Sequence, residues 1–221
     1  MRCVIFDLDG TLADTSGDLI SAANRTFRSL GMGDMLSAGR DAAVATKSIE
    51  AMLELGFERA GRCRQPDRFD ELNQMILDSY GENIDQFTYL YPGAFDAITR
   101  LVKQGHKTGI CTNKPEHLAL DLMSRLGARD LFASLIGGDT LSVSKPDPAP
   151  LVQAIKRAGG ALEQSVMIGD TVNDLKTARA AGVPCALVTF GPLGPDVAKL
   201  EPDALLHHFD DLDALVRRLV V

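Results

Sequence analysis

Two aspartates stand two residues apart at the end of an apolar run near the N-terminus. The run Cys3–Phe6 is followed by Asp7, Leu8, Asp9 and Gly10. Alternate side chains of an extended segment share a face, so Asp7 and Asp9 would crowd together unless a cation lay between them or the chain turned, which Gly10 permits. We predict that Asp7 is a nucleophile and Asp9 a general acid and base, with a metal relieving their repulsion. A bare pair of this kind would otherwise be two solvated carboxylates at a turn.

A second polar cluster follows the apolar run at residues 107–111. It comprises Thr112, Asn113, Lys114 and Pro115. A hydroxyl and backbone N–H groups that open a helix form a natural phosphate cradle, so Thr112 and Asn113 are candidates for binding a phosphoryl group. Plain capping of the helix before proline would explain both residues equally well. We interpret Lys114 as a solvated side chain.

A third cluster contains a lysine followed by proline. Lys145 stands between Ser144 and Pro146. Proline restricts the residue before it to extended conformations and stiffens the loop, so the stem of Lys145 is held in a definite direction. A cation fixed in this way could neutralise both a phosphate and the Asp7 carboxylate. The alternative is a surface lysine in a proline-rich loop.

The fourth cluster is acidic and follows a β-branched run. Gly169 and Asp170 end that run, and Asp174 stands four residues after Asp170, on the same face if a helix has begun. A small number of hard oxygen ligands suits magnesium that is held partly by substrate phosphate and water. Acidic capping of the helix N-terminus is the alternative explanation for Asp174.

The elements that would position these clusters alternate along most of the chain. Short apolar runs typical of strands occur at residues 3–6, 107–111, 131–136, 166–168, 185–188 and 204–206. Apolar spacing near 3.6 predicts helices at residues 94–104, 117–126, 148–158, 173–181 and 212–219. The alternation predicts an α/β fold with a Rossmann-like parallel sheet and helices on both faces. In such a sheet, ligands gather outside the carboxyl ends of the strands, where all four clusters fall.

One long segment interrupts the alternation. Between about residues 16 and 86 the patterns are helical, at residues 17–30, 41–54 and 67–80, and no convincing strand occurs. We therefore predict an α/β core of residues 1–15 and 87–221, and a helical domain of residues 16–86 inserted after the first strand.

Composition and charge limit the class of protein. The chain has 221 residues, 45% hydrophobic and 24% charged, which is ordinary for a soluble globular protein. A net charge of -7 argues against nucleic acid or an anionic membrane as the main partner. No run approaches transmembrane length and no apolar leader follows Met1, so we expect a cytoplasmic protein.

Four cysteines are widely spaced and form no CxxC pair, which argues against a disulfide or a zinc site. Cys3, Cys111 and Cys185 lie within apolar runs, and Cys63 does not. We interpret the cysteines as reduced packing residues.

Taken together, the four clusters resemble the motifs of the haloacid dehalogenase superfamily: DxDGT, a Ser or Thr after the second core strand, a distant Lys, and GDxxxD. The resemblance covers residues 2–15 and 91 to about 190. The phosphoglycolate phosphatase branch is the most similar, on the phrases Tyr91-Pro92-Gly93, Thr112-Asn113-Lys114-Pro115, Lys145-Pro146-Asp147-Pro148 and Gly169-Asp170-Thr171-Val172-Asn173-Asp174. The resemblance implies that the helical insert is a cap domain.

The resemblance also implies residue roles. Asp7 would attack phosphorus and carry an acyl phosphate, and Asp9 would protonate the departing alkoxide and then activate water. Mg²⁺ would be held by Asp7, the main-chain carbonyl of Asp9 and Asp170, with Asp174 in support. The phosphoryl group and the rest of the substrate would be bound by Gly10, Thr112, Asn113, Lys145 and Lys47.

Lys47 enters this set through a departure from the family pattern. The branch is expected to have a Val-Gly-x-Gly-like stretch in the cap, where this chain has Val44-Ala45-Thr46-Lys47-Ser48. A carboxylate-bearing substrate needs a cation or donors on the cap side, and Thr46, Lys47 and Ser48 are the nearest candidates. Thr46 or Ser48 could equally cap the following helix, and Lys47 could be a solvated helix lysine.

The sequence thus predicts a magnesium-dependent phosphatase of a small phosphorylated metabolite, with 2-phosphoglycolate as the substrate, acting as a monomer or homodimer. A phosphomutase of the β-phosphoglucomutase type is an alternative on the same scaffold. A signalling receiver that accepts phosphate also uses an Asp, a Thr and a Lys around Mg²⁺, but it has no use for a hydrolytic base such as Asp9. A 2-haloacid dehalogenase would need neither Asp9 nor the acidic fourth cluster.

Overall fold

The computed structural model describes residues 2–63 and 65–220. The chain divides into two compact units: Met1–Asp14 with Leu90–Val221, and Thr15–Tyr89. We call them the core unit and the inserted unit. The boundaries predicted from the sequence, after residues 15 and 86, differ from these by one residue and by three. The role of the inserted unit as a cap stays a prediction.

The core unit is built on a parallel sheet. The strands of the chain, in order, are β1 Cys3–Phe6, β2 Ala13–Asp14, β3 Tyr89–Leu90, β4 Lys107–Cys111, β5 Ser134–Ile136, β6 Ser165–Gly169, β7 Cys185–Val188 and β8 Ala204–Leu206. Six of them form one parallel sheet in the order β5-β4-β1-β6-β7-β8. Strand β1 is central and pairs with both β4 and β6. The segments that follow these three strands therefore meet at one edge.

Helices flank the sheet, which confirms the predicted α/β fold class. The helices are α1 Ser16–Ser29, α2 Ala38–Ala45, α3 Ile49–Arg59, α4 Phe69–Glu82, α5 Ala94–Lys103, α6 Glu116–Arg125, α7 Ala149–Ala158, α8 Val172–Ala181 and α9 Leu212–Leu219. Every residue of β1, β6 and β7 is buried, as expected for strands of a parallel sheet covered on both faces. One core cluster joins side chains of these strands to Leu151, Ile155 and Leu175 of α7 and α8.

The predicted strand at residues 131–136 is partly wrong. Arg129–Leu131 forms a short 3₁₀ helix, and β5 begins only at Ser134, where pairing with Gly109 of β4 begins. The carbonyl of Leu131 instead accepts a hydrogen bond from the Thr108 hydroxyl. Before β5, the contact with β4 therefore includes a side-chain donor besides the backbone bond from Ala133 N to Thr108 O, and the apolar pattern of the sequence does not reveal it.

In the inserted unit, the single helix predicted at residues 41–54 is wrong. The structure has two helices, α2 and α3, separated by a turn at residues 46–48. Ser48 adopts an extended conformation, and its hydroxyl accepts a hydrogen bond from Ala51 N at 3.1 Å. Ser48 is therefore the N-cap of α3, which is the capping role that the sequence left open for it.

The interpretation of the cysteines as packing residues is confirmed for three of them and is wrong for Cys63. Cys3, Cys111 and Cys185 are buried free thiols, whereas Cys63 is an exposed free thiol. Across residues 2–63 and 65–220, no helix is both long enough and apolar enough to cross a membrane.

Candidate active site

Four loops of the core unit meet at the carboxyl edge of the sheet. Asp7 follows β1, Thr112 follows β4, and Asp170 follows β6. The fourth loop, between β5 and α7, carries Lys145. The parallel pairing of β4, β1 and β6 places the first three segments side by side. The convergence of distant clusters expected from the sequence is therefore a direct result of strand order.

Lys145 joins two of the carboxylates. Its Nζ lies 2.9 Å from Asp7 Oδ1 and 2.6 Å from Asp174 Oδ1. The residue is only 5% exposed. Burial by itself lowers the pKa of a lysine, but the Asp174 and Asp7 carboxylates outweigh burial and raise the pKa of Lys145 well above its ordinary value. Lys145 is thus a fixed, buried ammonium, and the alternative of a surface lysine is wrong.

The backbone of Lys145 is held by Asn113. The Asn113 side-chain amide donates to Lys145 O at 3.0 Å, and its Oδ1 accepts from Lys145 N at 3.0 Å. The peptide bond between Lys145 and Pro146 is cis. The Asn113 side chain, which was a candidate for phosphate binding, is therefore occupied in orienting the lysine loop.

Asp174 makes more hydrogen bonds than any other carboxylate described in this cluster. Its Oδ2 accepts from Asp170 N at 3.2 Å, Thr171 N at 2.9 Å and Thr171 Oγ1 at 2.7 Å. Thr171 and Asp174 form a capping box at the start of α8. The capping role considered for Asp174 is therefore present, together with its ion pair to Lys145.

Asp170 has one satisfied and one unsatisfied oxygen. The hydroxyl of Thr11 donates to Asp170 Oδ1 at 3.0 Å. Asp170 Oδ2 is buried and has no hydrogen-bond partner among residues 2–63 and 65–220. Gly10, with φ of 84°, lies so close that a Cβ at its position would overlap Asp170 Oδ2. Sequence reasoning missed Thr11, although the Thr of DxDGT was part of the motif it recognised.

The charges of this cluster are unbalanced. The oxygens of Asp7, Asp170 and Asp174 lie within 4.8 Å of one another, and all three residues are buried. Burial, together with Asp174 and Asp9, raises the pKa of Asp7 to about 7, against the opposing effect of Lys145. Burial, Asp174 and Asp7 likewise raise the pKa of Asp170. Because an unsatisfied buried oxygen faces this excess of negative charge, the cluster fits a hard divalent cation.

Asp9 occupies a different environment from Asp7. Its Oδ1 accepts a hydrogen bond from Lys114 Nζ at 2.7 Å, and the side chains of Lys114 and Asp9 are 5% and 14% exposed. The interpretation of Lys114 as solvated is therefore wrong. The missed signal was available: Lys114 precedes Pro115 just as Lys145 precedes Pro146, so the same restriction of the backbone applies to both lysines.

Thr112 bonds to the end of β5 and to the segment that carries Lys114. It is buried, its N–H donates to Ile136 O at 3.0 Å, and its Oγ1 accepts from Lys114 N at 3.2 Å. Helix α6 begins after Pro115, and its first N–H, that of Glu116, donates to the Asp139 carboxylate at 2.7 Å. The capping role considered for Thr112 and Asn113 is therefore absent, and Thr112 remains a candidate for contact with a phosphoryl group.

Lys47 lies in the inserted unit. It is exposed in the turn between α2 and α3, next to the N-cap residue Ser48. The hydroxyl of Thr46 donates to Ala42 O at 3.2 Å, so it bonds to the helix that ends there. Of the three cap candidates, Thr46 and Ser48 have local structural roles, and Lys47 has an exposed ammonium.

Comparison with protein families gives one match over most of the chain. The family model described as "Haloacid dehalogenase-like hydrolase" matches residues 4–188. This range contains all four motif clusters and the inserted unit.

Curated relatives match nearly the whole chain. A phosphoglycolate phosphatase of Mesorhizobium japonicum is 37% identical over 218 residues, which cover 98% of this chain and 96% of the relative. A phosphoglycolate phosphatase of Agrobacterium fabrum is 36% identical over 223 residues, covering 98% and 93%. A crystal structure from Haemophilus somnus, described as a predicted phosphoglycolate phosphatase, superposes with a TM-score of 0.85 at 25% identity and covers 97% of each chain.

Proposed function

This chain belongs to the haloacid dehalogenase-like hydrolases and is a phosphoric monoester hydrolase, and from this premise we propose that it hydrolyses 2-phosphoglycolate through a phosphorylated Asp7. The observation that carries the chemistry is the pairing of Asp7 with the buried ammonium of Lys145, 2.9 Å away, beside an unsatisfied oxygen of Asp170. An anionic nucleophile can approach an anionic phosphate only where their negative charges are neutralised. The Lys145 ammonium supplies a positive charge next to Asp7. The names of the curated relatives support the substrate.

In the first step, a carboxylate oxygen of Asp7 forms a bond to phosphorus, and the bond from phosphorus to the ester oxygen breaks. Asp9 donates a proton to the departing alkoxide, which leaves as an alcohol. Lys145 and Thr112 hold phosphoryl oxygens during the transfer. The product is glycolate, and Asp7 carries an acyl phosphate.

In the second step, water attacks the phosphorus of the acyl phosphate. Asp9, now ionised, accepts a proton from the water, the bond from phosphorus to the Asp7 oxygen breaks, and inorganic phosphate leaves. One residue thus serves as acid and then as base. Its place outside the carboxylate cluster, paired with Lys114, supports a role distinct from that of Asp7.

Magnesium fits the carboxylate cluster by charge and by ligand type. We assign Asp7, Asp170 and the main-chain carbonyl of Asp9 as its ligands, with Asp174 orienting Lys145 and the backbone of the Asp170 loop. When bound, the ion supplies neutralisation of charge between the nucleophile and the phosphoryl group. Asp170 Oδ2, which has no hydrogen-bond partner among the residues that the structure describes, is the observation that favours a direct ligand there.

The test is a screen of the purified protein with Mg²⁺ against small phosphate esters, including 2-phosphoglycolate and β-glucose 1-phosphate. We expect stoichiometric release of inorganic phosphate, fastest from 2-phosphoglycolate. Conversion of β-glucose 1-phosphate to glucose 6-phosphate without release of phosphate would indicate a mutase instead. Faster hydrolysis of another ester would be consistent with the proposed phosphatase mechanism but would contradict the assignment of 2-phosphoglycolate as the substrate.

The role of Asp9 is tested by Asp9→Asn. Loss of general acid and base catalysis should slow turnover by about 10²–10⁴-fold. An unchanged rate would mean that another group supplies the proton.

A further inference from the structure

Lys114 is a buried cation to which the proposed chemistry assigns no step. Only 5% of its side chain is exposed, and its Nζ lies 2.7 Å from Asp9 Oδ1. Burying an ion pair has a desolvation cost that its attraction often fails to recover, so such a pair is weak evidence for a role in stability. Lys145 already neutralises Asp7, so the core unit has a separate ammonium for each aspartate of the pair.

The backbone of Lys114 is fixed on both sides. Its N–H donates to Thr112 Oγ1 at 3.2 Å, and its carbonyl accepts from Gly138 N at 2.8 Å. The following residue is proline, which restricts the conformation of Lys114. These contacts fix the origin of the long side chain before it reaches Asp9.

Two glycines after β5 permit this arrangement. A Cβ at Gly138 would overlap the carbonyl oxygen of Asn113, and a Cβ at Gly137 would overlap the backbone of Glu116. The loop that carries Lys114 and the segment that follows β5 therefore pack backbone to backbone. Lys114 is thus held by a rigid, closely packed support.

We propose that Lys114 is a positioning residue that fixes the Asp9 carboxyl group, which is protonated when the ester bond breaks, for proton transfer to the leaving group. This inference rests on the proposed function, because it requires Asp9 to be the acid and base. The ammonium holds Oδ1 through a charge-assisted hydrogen bond, and so restricts rotation of the carboxylate group. Correct placement matters because small displacements of a reacting group cost about 10²-fold in rate.

The effect of Lys114→Met on kcat/KM should depend on the leaving group. A purely structural role of Lys114 would not produce this dependence. An alkoxide leaves poorly without a proton, whereas p-nitrophenolate leaves with little assistance. In Lys114→Met, which keeps an unbranched side chain one atom shorter and removes its charge, kcat/KM should fall about 10–10²-fold on the alkyl phosphate that the wild type hydrolyses fastest. On p-nitrophenyl phosphate the fall should be less than about 3-fold.

A double-mutant cycle shows whether Lys114 acts through Asp9. In the Asp9→Asn background, Lys114→Met should change kcat/KM on the alkyl phosphate by less than about 3-fold, because the group that it positions is already lost. The double variant also carries no unpaired buried charge, so it remains informative if Lys114→Met alone folds poorly. The matched control is Lys103→Met, at an exposed position on α5, which should behave as wild type.

The inhibition constant of inorganic phosphate separates positioning from direct binding. If Lys114 only orients Asp9, Lys114→Met should leave this constant within about twofold, since a lost charge-assisted contact would weaken it about tenfold or more. Equal losses on alkyl and aryl substrates, multiplicative effects in the double variant, or weaker phosphate inhibition would overturn the inference. A wild-type protein that releases no phosphate from any ester would instead overturn the proposed function.

Discussion

Two buried carboxylate sites, one in each unit, are built in opposite ways. In the inserted unit, Asp41 accepts two hydrogen bonds from Arg59, each at 2.7 Å, and one from Ser37 N at 2.8 Å. In the core unit, Asp7 shares its one ammonium with Asp174, and an oxygen of Asp170 lacks a hydrogen-bond partner within the described residues.

The pKa values follow from this difference. The hydrogen bonds from Arg59 lower the pKa of Asp41 from 3.8 to about 2, although burial opposes them. Burial and neighbouring carboxylates raise the pKa of Asp7 from 3.8 to about 7. A carboxylate that stabilises the fold has its oxygens fully bonded, whereas carboxylates kept together with too few partners indicate a site whose ligands arrive from solution.

The largest expected effect is on the rate, at Asp7. Asp7→Asn should lower turnover by at least about 10⁴-fold, because an amide is a poor nucleophile and a weak ligand. It removes one of several clustered negative charges, so the midpoint of thermal unfolding without added metal should not fall. Phosphate release and a melting curve measure the two quantities. Activity near that of the wild type would contradict the mechanism.

The metal prediction comes next and has a readout independent of catalysis. Mg²⁺ at about 100 times its Kd should stabilise the wild type by about 2.7 kcal/mol, since binding to the folded state stabilises it. In Asp170→Asn this stabilisation should be lost, whereas Asp41→Asn should retain it as the matched control. Chelation with EDTA should remove activity and Mg²⁺ should restore it. Full activity after exhaustive chelation would exclude the metal.

The comparison predicts the reverse outcome at Asp41, where stability should fall and chemistry should not. Asp41→Asn should lower the free energy of unfolding by about 2 kcal/mol, because it breaks a buried, doubly hydrogen-bonded ion pair. Urea denaturation at pH 7 measures the loss. The matched control is Glu71→Gln, which breaks an exposed bidentate pair with Arg68 of similar hydrogen-bond lengths, and should leave the midpoint unchanged.

The same pair should make stability depend on pH. The pKa of Asp41 is lower in the folded protein, so the pair contributes fully above about pH 4 and its contribution is lost as the pH falls toward about 2. The destabilisation that Asp41→Asn causes at pH 7 should therefore shrink as the pH falls, and most of it should be gone at pH 2. An unchanged difference between the two proteins across this range would show that Asp41 does not titrate as described.

Sequence patterns predicted the core unit well because its strands are marked by short apolar runs that can be recognised locally. The run Cys3–Phe6 and the run Cys185–Val188 are strands at the predicted bounds, since continuous apolar residues next to polar turns are typical of buried parallel strands. The two-residue strands β2 and β3 were missed, because two residues are too few to show a period. The turn between α2 and α3 was missed because helical spacing continues across it, although Ser48 carried a capping signal.

The grouping of the candidate residues was predictable, and their hydrogen-bond partners were less so. Asp7, Lys145, Asp170 and Asp174 meet because strand order brings the clusters together, which the fold class already implies. The pairing of Lys114 with Asp9 joins residues 105 positions apart in the sequence. Side-chain orientation across that separation depends on loop packing, including the close approach at Gly138, and no local pattern encodes it.

The smallest expected effect, on KM, concerns Lys47, the only lysine in residues 15–89 of the sequence. If the inserted unit is a cap that binds the substrate carboxylate, Lys47→Ala should raise KM for 2-phosphoglycolate about 3- to 10-fold, on the scale of one lost hydrogen bond of ordinary strength, because Lys47 is exposed. Hydrolysis of p-nitrophenyl phosphate, which has no carboxylate, should stay within about twofold. Steady-state kinetics on both substrates measures the difference.

The adjacent residue provides the control for Lys47. Ser48→Ala removes the cap of α3 and should lower stability by about 1 kcal/mol, while KM for both substrates stays unchanged. Lys47→Ala leaves that cap intact, so a change in KM without a change in stability would indicate contact with the substrate rather than disturbance of the turn. Equal effects of Lys47→Ala on both substrates, or no effect on either, would remove Lys47 from the site and weaken the assignment of 2-phosphoglycolate with it.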